Sequence, residues 1–208
     1  MLRTTCPNIS VITNFGCRAN CWYCIWKGHE LENINEKTDW EKLGVFLCEN
    51  RGKGKVSVSG GGDCLYKYHE NLEWWIKFFE ITSKLNIIVD VHTREKFVNM
   101  RFWEKINKCV FSSDKLDNDI EYLEWLNNFT KIRITHLVTS ETTDKMIEDY
   151  LKFQNKINCE FTIKQLVKYD DGERYVNIRG KYPDIYNLDA GDYNIYYMPD
   201  NSIRTSFL

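Results

Sequence analysis

Cys17, Cys21 and Cys24 stand in the stretch GCRANCWYCIWKG (16–28) as C-x-x-x-C-x-x-C, with Trp22, Tyr23 and Trp26 set among them. Thiols at such spacing on one short loop can converge as thiolates on a metal or a metal cluster. A structural zinc takes four ligands, usually as two separated pairs, and a catalytic zinc takes three plus a water. An electron-transfer iron–sulfur cluster is normally held by four cysteines. The loop supplies three, and neither His29 nor another nearby residue makes an obvious second pair. A cluster held here would leave one iron uncovered, which is useful only if something else must bind it. The other five cysteines, Cys6, Cys48, Cys64, Cys109 and Cys159, are scattered singly and read as small core residues.

Short β-branched runs alternate with longer stretches of helical period after the loop, which predicts a parallel α/β protein. The strand candidates are 9–15, 55–59, 86–93, 108–113, 131–138 and 160–167. Helices are expected from Trp40 to about Glu49, capped by Thr38 or Asp39, and from Glu70 over ENLEWWIKFFEITSKL. Three more are expected over Glu95–Asn107, Asp117–Phe129 and Thr142–Ile157. The EWWIKFF run reads as core covering the sheet.

Alternation along the strands places Val56 and Val58 on one face and Ser57 and Ser59 on the other. A parallel sheet with helices on both sides should be apolar on both faces. A polar face therefore predicts either a curved, partly closed sheet around a cavity or a flat sheet with one uncovered face. Ser57, Ser59, Asp90, His92, Arg133, Thr135, Thr162 and Lys164 would line it. Ligands of such folds collect at the carboxyl ends of the strands, where the cysteine loop falls. His136 lies on the helix-facing side and reads as a hydrogen-bonded core residue, and His29 and His69 as surface residues. Residues 172–208 lose the helical period and carry a hairpin signal at MPDNS (198–202), as a lid or as a plain closing β-segment.

With 208 residues and a net charge of −2, the chain suits one domain and offers no positive field for a long nucleic acid. It has no secretory signal pattern and no apolar run long enough to span a bilayer, so a cytoplasmic location is expected. In that reducing compartment the cysteines are not expected to form a disulfide framework.

The cysteine pattern, with an aromatic residue just before its last member, resembles the radical S-adenosylmethionine (radical SAM) superfamily. The resemblance implies that Cys17, Cys21 and Cys24 hold a [4Fe-4S] cluster, that S-adenosyl-L-methionine chelates the fourth iron, and that Tyr23 lies near its adenine. The stretch SVSGGGDCL (57–65) is similar to the superfamily's Gly-Gly-Glu turn, which receives the methionine amino group. Gly61, Gly62 and Asp63 match it, with Asp in place of Glu and Cys64 in place of a common Pro. Glycine suits a backbone that a ligand must approach closely. By position, His92 and Thr93 after the third strand, Ser113 after the fourth and Arg133 on the fifth become further cofactor-binding candidates.

The likeness spans residues 8 to 167 and implies a partial (β/α)6 barrel. Residues 1–171 would form its core and 172–208 a short β-rich C-terminal extension of the same domain. The implied activity is an oxidoreductase-type radical reaction: an external donor of flavodoxin or ferredoxin type supplies an electron, S-adenosylmethionine is cleaved reductively, and hydrogen is abstracted from substrate. The substrate would be a small molecule, a nucleoside-like compound or a peptide, met by Lys164 or the tail. An activating enzyme for a glycyl radical enzyme partner is the second reading, although CIWK departs from the residues common there. An iron–sulfur electron-transfer module is the reading from another class.

Overall fold

The computed structural model describes residues 8–34, 36–139, 141–165 and 194–205. Along the chain the strands are β1 (Asn8–Ile12), β2 (Lys55–Ser59), β3 (Ile88–Thr93), β4 (Lys108–Ser112), β5 (Lys131–Val138), β6 (Glu160–Gln165), β7 (Asn194–Tyr197) and β8 (Ile203–Arg204). The helices are α1 (Ile25–Gly28), α2 (Trp40–Glu49), α3 (Leu72–Lys84), α4 (Met100–Trp103), α5 (Ile120–Leu126) and α6 (Asp144–Ile157). The chain divides into two compact units, residues 1–95 with 190–208, and residues 96–189.

In the first unit β1 pairs in parallel with β2, and β2 with β3. The register sets Ser10 beside Ser57 and Ser57 beside Asp90, so the polar positions form one row on one face. The alternate residues Ile9, Val11, Val56, Val58, Val89 and Val91 are buried. α2 and α3 bury Leu43, Phe46, Leu47, Trp75 and Phe78, the apolar stripe of two amphipathic helices. Asp39 caps α2 by accepting from the Lys42 N–H at 3.0 Å. Trp74 stacks on Phe78, their ring centroids 4.9 Å apart; of the EWWIKFF run, expected as core, Trp75 and Phe78 are buried while Ile76 is exposed.

The tail adds a pairing that the sequence did not announce: β7 lies parallel to β1, and β8 is antiparallel to β7. The expected turn at 198–202 closes with the Met198 N–H donating to the Ser202 carbonyl at 2.9 Å. Asn201 ties the turn to the entry of α2, donating to the Lys37 carbonyl and accepting from the Asp39 N–H. The expected 171/172 boundary lies outside the described residues.

The second unit pairs β4 with β5 and β5 with β6, all parallel. The α/β class predicted from the alternation is therefore the class observed, with every strand pairing parallel among the described residues except that of β7 with β8. The helix expected over 95–107 shrinks to the four residues of α4, because Asn99, with extended backbone, caps it by accepting from the Phe102 N–H. α5 is shorter than expected and follows a 3-10 turn at Leu116–Asn118.

His136 is a buried, hydrogen-bonded core residue, as read from the strand pattern. Its Nδ1 donates to the Ser113 carbonyl at 2.9 Å, which leaves Nε2 to accept from the Thr142 hydroxyl at 3.1 Å. Burial holds its pKa below the ordinary 6.5, against the raising effects of the Ser113 carbonyl and Asp114. The unfolded chain therefore binds this proton more readily than the folded one. The contribution is fully present above pH 6.5 and is lost as pH falls through the lower folded value. Urea unfolding between pH 7 and 5 should show a declining midpoint, and His136→Gln should flatten that decline.

Candidate cofactor site

The site begins where two loops press their backbones together. Gly60, Gly61 and Gly62 all have positive φ (65°, 61° and 94°), a region that costs most L-residues energy. A Cβ on Gly61 would sit on the Thr13 carbonyl at the end of β1, and one on Gly62 would meet the Gly16 carbonyl. Gly16 and Gly62 form an isolated parallel bridge, and the Asp63 N–H donates to the Gly16 carbonyl at 2.8 Å. The glycines were expected to make room for a ligand; at these two positions the structure shows that the close neighbour is the chain itself. The turn after β2 is thereby locked to the residue preceding Cys17.

Asp63 then fixes the turn to β3. Only 4% exposed, it accepts from the Leu65 N–H at 2.9 Å and the Thr93 hydroxyl at 2.7 Å on one carboxylate oxygen. The other oxygen accepts from the Arg94 N–H at 2.7 Å. Thr93 Oγ1 in turn accepts from the Glu95 N–H at 2.9 Å. The neighbouring Cys64 is buried and donates its thiol to the His92 carbonyl at 3.3 Å, which gives that position a packing role.

All three loop cysteines are free thiols of intermediate burial. Cys17 Sγ accepts from the Ala19 N–H at 3.3 Å, and Cys21 Sγ accepts from Arg94 Nη1 at 2.9 Å. Burial, with Asp63 and Cys21 nearby, pushes the Cys17 thiol up, while the Ala19 N–H and Arg94 pull it down. Cys24 opens α1, whose Trp26 is buried against Ile12, Tyr196 and Met198, so the loop's far end is anchored in the core. Trp22 is 70% exposed and meets Tyr23 edge-on at 5.3 Å. Among the described residues no group of three His, Cys, Asp or Glu side chains gathers around a point that could hold one metal ion. Three free thiols on one loop, with one main-chain N–H aimed at Cys17 and one guanidinium at Cys21, are a donor set that fits an iron–sulfur cluster, whose sulfurs are stabilised by such hydrogen bonds.

Of the residues singled out from sequence, Cys17, Cys21, Cys24, Tyr23, Gly61, Gly62, Asp63, His92 and Thr93 all belong to the first unit. Ser113 and Arg133 belong to the second. Ser113 is 1% exposed, its hydroxyl donating to Asp119 at 2.6 Å and lying 2.9 Å from the Tyr150 hydroxyl. Arg133 lies near the amino end of β5 and pairs with Glu160 at 2.5 Å, a carboxylate shared with Lys108. Sequence reading passed over Arg94, although the VDVHTRE stretch holding His92 and Thr93 also held the guanidinium that reaches Cys21.

Gly61→Ala should cost at least about 1–3 kcal/mol from the backbone conformation alone, before any displacement of Thr13. Gly44→Ala, inside α2 with open space at its Cβ, should instead stabilise by about 0.5–1 kcal/mol. Urea unfolding of the two variants checks the contrast.

Neither a protein-family model nor a curated protein matches the sequence. Solved structures do match. The crystal structure of Streptococcus suis SuiB aligns at 15% identity with a TM-score of 0.67, over 97% of this chain and 60% of SuiB. SuiB bound to S-adenosylmethionine aligns at 14% identity with the same TM-score and the same coverage of both chains. SuiB bound to its precursor peptide SuiA aligns at 14% identity with a TM-score of 0.61, over 96% of this chain and 59% of SuiB. This chain thus spans about three fifths of the length of the SuiB structures it matches, and what it shares with them is their fold.

Proposed function

We propose that this protein is a radical SAM enzyme that modifies a peptide. The observation that carries the reading is the contact between two loops: the three-cysteine loop is bonded through Gly16 to the glycine turn at Gly62 and Asp63. The fold around that contact is shared with a protein crystallised with S-adenosylmethionine and with a precursor peptide. Cys17, Cys21 and Cys24 would hold a [4Fe-4S] cluster, leaving one iron for S-adenosylmethionine. When bound and reduced, the pair supplies the chemistry of reductive S-adenosylmethionine cleavage and hydrogen-atom abstraction.

The chain's own residues bind and orient. The backbone of Gly61 and Gly62 receives the methionine amino group, in a turn whose position Asp63 fixes through Thr93 and Arg94. Tyr23 would border the adenine, and His92, at the end of β3, would meet the ribose or carboxylate. An external donor of flavodoxin or ferredoxin type delivers the electron, in a reducing cytoplasm that keeps the thiols free. Among the described residues no helix is long and apolar enough to cross a membrane. The precursor peptide bound by SuiB favours a peptide substrate over a nucleoside-like one.

Anaerobic reconstitution with iron and sulfide, reduction with dithionite and addition of S-adenosylmethionine should yield 5′-deoxyadenosine. A chain that assembles its cluster fully and still makes none contradicts the proposal. Cys21→Ala should abolish both cluster and product while leaving Tm within a few degrees, because Cys21 is a half-buried loop residue outside the core.

A further inference from the structure

The guanidinium on Cys21 lies outside the motifs that point to the cofactors. Arg94 makes two connections at once: its main-chain N–H donates to Asp63 Oδ2 at 2.7 Å, and its Nη1 donates to Cys21 Sγ at 2.9 Å. The first is available to any residue except proline, and it belongs to the clamp on the glycine turn. The second requires a long cationic side chain and places a permanent positive charge against one sulfur of the loop. The nearest acid in sequence, Glu95, faces Arg18 at 3.2 Å. Burial and the Asp63 charge raise the Glu95 pKa, and Arg18 and Arg94 lower it.

We infer that Arg94 is a positioning residue for the iron–sulfur cluster, holding Cys21 in place and making the cluster easier to reduce. The inference rests on the cluster reading given above. Adding one electron makes the cluster more negative, so a cation and an N–H donor at a ligand sulfur stabilise the reduced state more than the oxidised one. Through Arg94 the glycine turn and the cysteine loop are coupled a second time. The bond at Gly16 sets their backbones, and the bond to Cys21 sets a ligand.

The test uses the reconstituted full chain and follows the cluster by EPR in an anaerobic redox titration, without S-adenosylmethionine. Arg94→Gln should retain the Asp63 clamp and lose the charge. At a fixed potential the oxidised-to-reduced ratio should rise about tenfold, a midpoint lowered by about 59 mV for a one-electron couple. Arg94→Lys, which keeps the charge without the planar fork, should recover part of that shift. Loss of the cluster from Arg94→Gln alone, with retention in Arg94→Lys, supports the same role. Wild-type iron content at the wild-type potential in both variants overturns the inference. So does loss of the cluster from both accompanied by a lowered Tm of the apoprotein, which would assign Arg94 to the fold. A wild-type chain that binds no iron would contradict the proposed function itself, before any variant is measured, and the inference with it.

Discussion

The arrangement depends on one buried carboxylate. Charge taken out of water is costly unless hydrogen-bonded, and Asp63 meets that cost with three donors from two segments: Leu65 in its own turn, and Thr93 and Arg94 at the end of β3. The Leu65 bond is a two-residue reach typical of an Asx turn, which a glutamate, longer by a methylene, would not make in the same way. This gives a physical reason for Asp where the Gly-Gly-Glu turn that it resembles has Glu. The same residue's N–H holds Gly16, so a single position joins β1, β2 and β3 at their carboxyl ends.

Around that anchor the glycines and the cysteine loop fall into place by necessity. The turn approaches Thr13, just after β1, and Gly16 of the cysteine loop so closely that no Cβ fits at 61 or 62, and the left-handed backbone at 60–62 reverses the chain in that space. The far side of the cysteine loop is held by Trp26 in the cluster formed with Ile12, Tyr196 and Met198. The tail hairpin supplies two of those three partners, so β7 supports the loop as well as closing the sheet edge beside β1. A loop held at Gly16, Cys21 and Trp26 has less conformational freedom left to lose on binding a ligand, which lowers the entropy cost of binding one.

Much of this was legible in the sequence, and the rest was hidden for identifiable reasons. Strands β2 and β5 were read with their observed bounds, and their faces follow the residue alternation, because period-2 patterning is local. The 95–107 helix was overread: its apolar spacing continued, but Asn99 caps the helix late. The parallel pairing of β7 with β1 joins Asn8 to Asn194 and Val11 to Tyr197, almost the full length of the chain apart, a contact that no local pattern encodes. At the site, the cysteines and glycines announced themselves by spacing. Arg94 did not, because its role depends on a side chain from β3's end reaching a loop 73 residues earlier. The structure adds a second reason for glycine at 61 and 62: the space a Cβ would take is filled by the carbonyls of Thr13 and Gly16.

The central claim is that the three thiols hold a cluster whose remaining iron is met by S-adenosylmethionine. The most direct measurement is the EPR spectrum of the reduced, reconstituted protein with and without saturating S-adenosylmethionine. Binding at the cluster predicts changed g-values on addition, with hyperfine coupling from the nitrogen of an amino-labelled cofactor. An unchanged spectrum from a fully reconstituted cluster, with no coupling, would contradict the account.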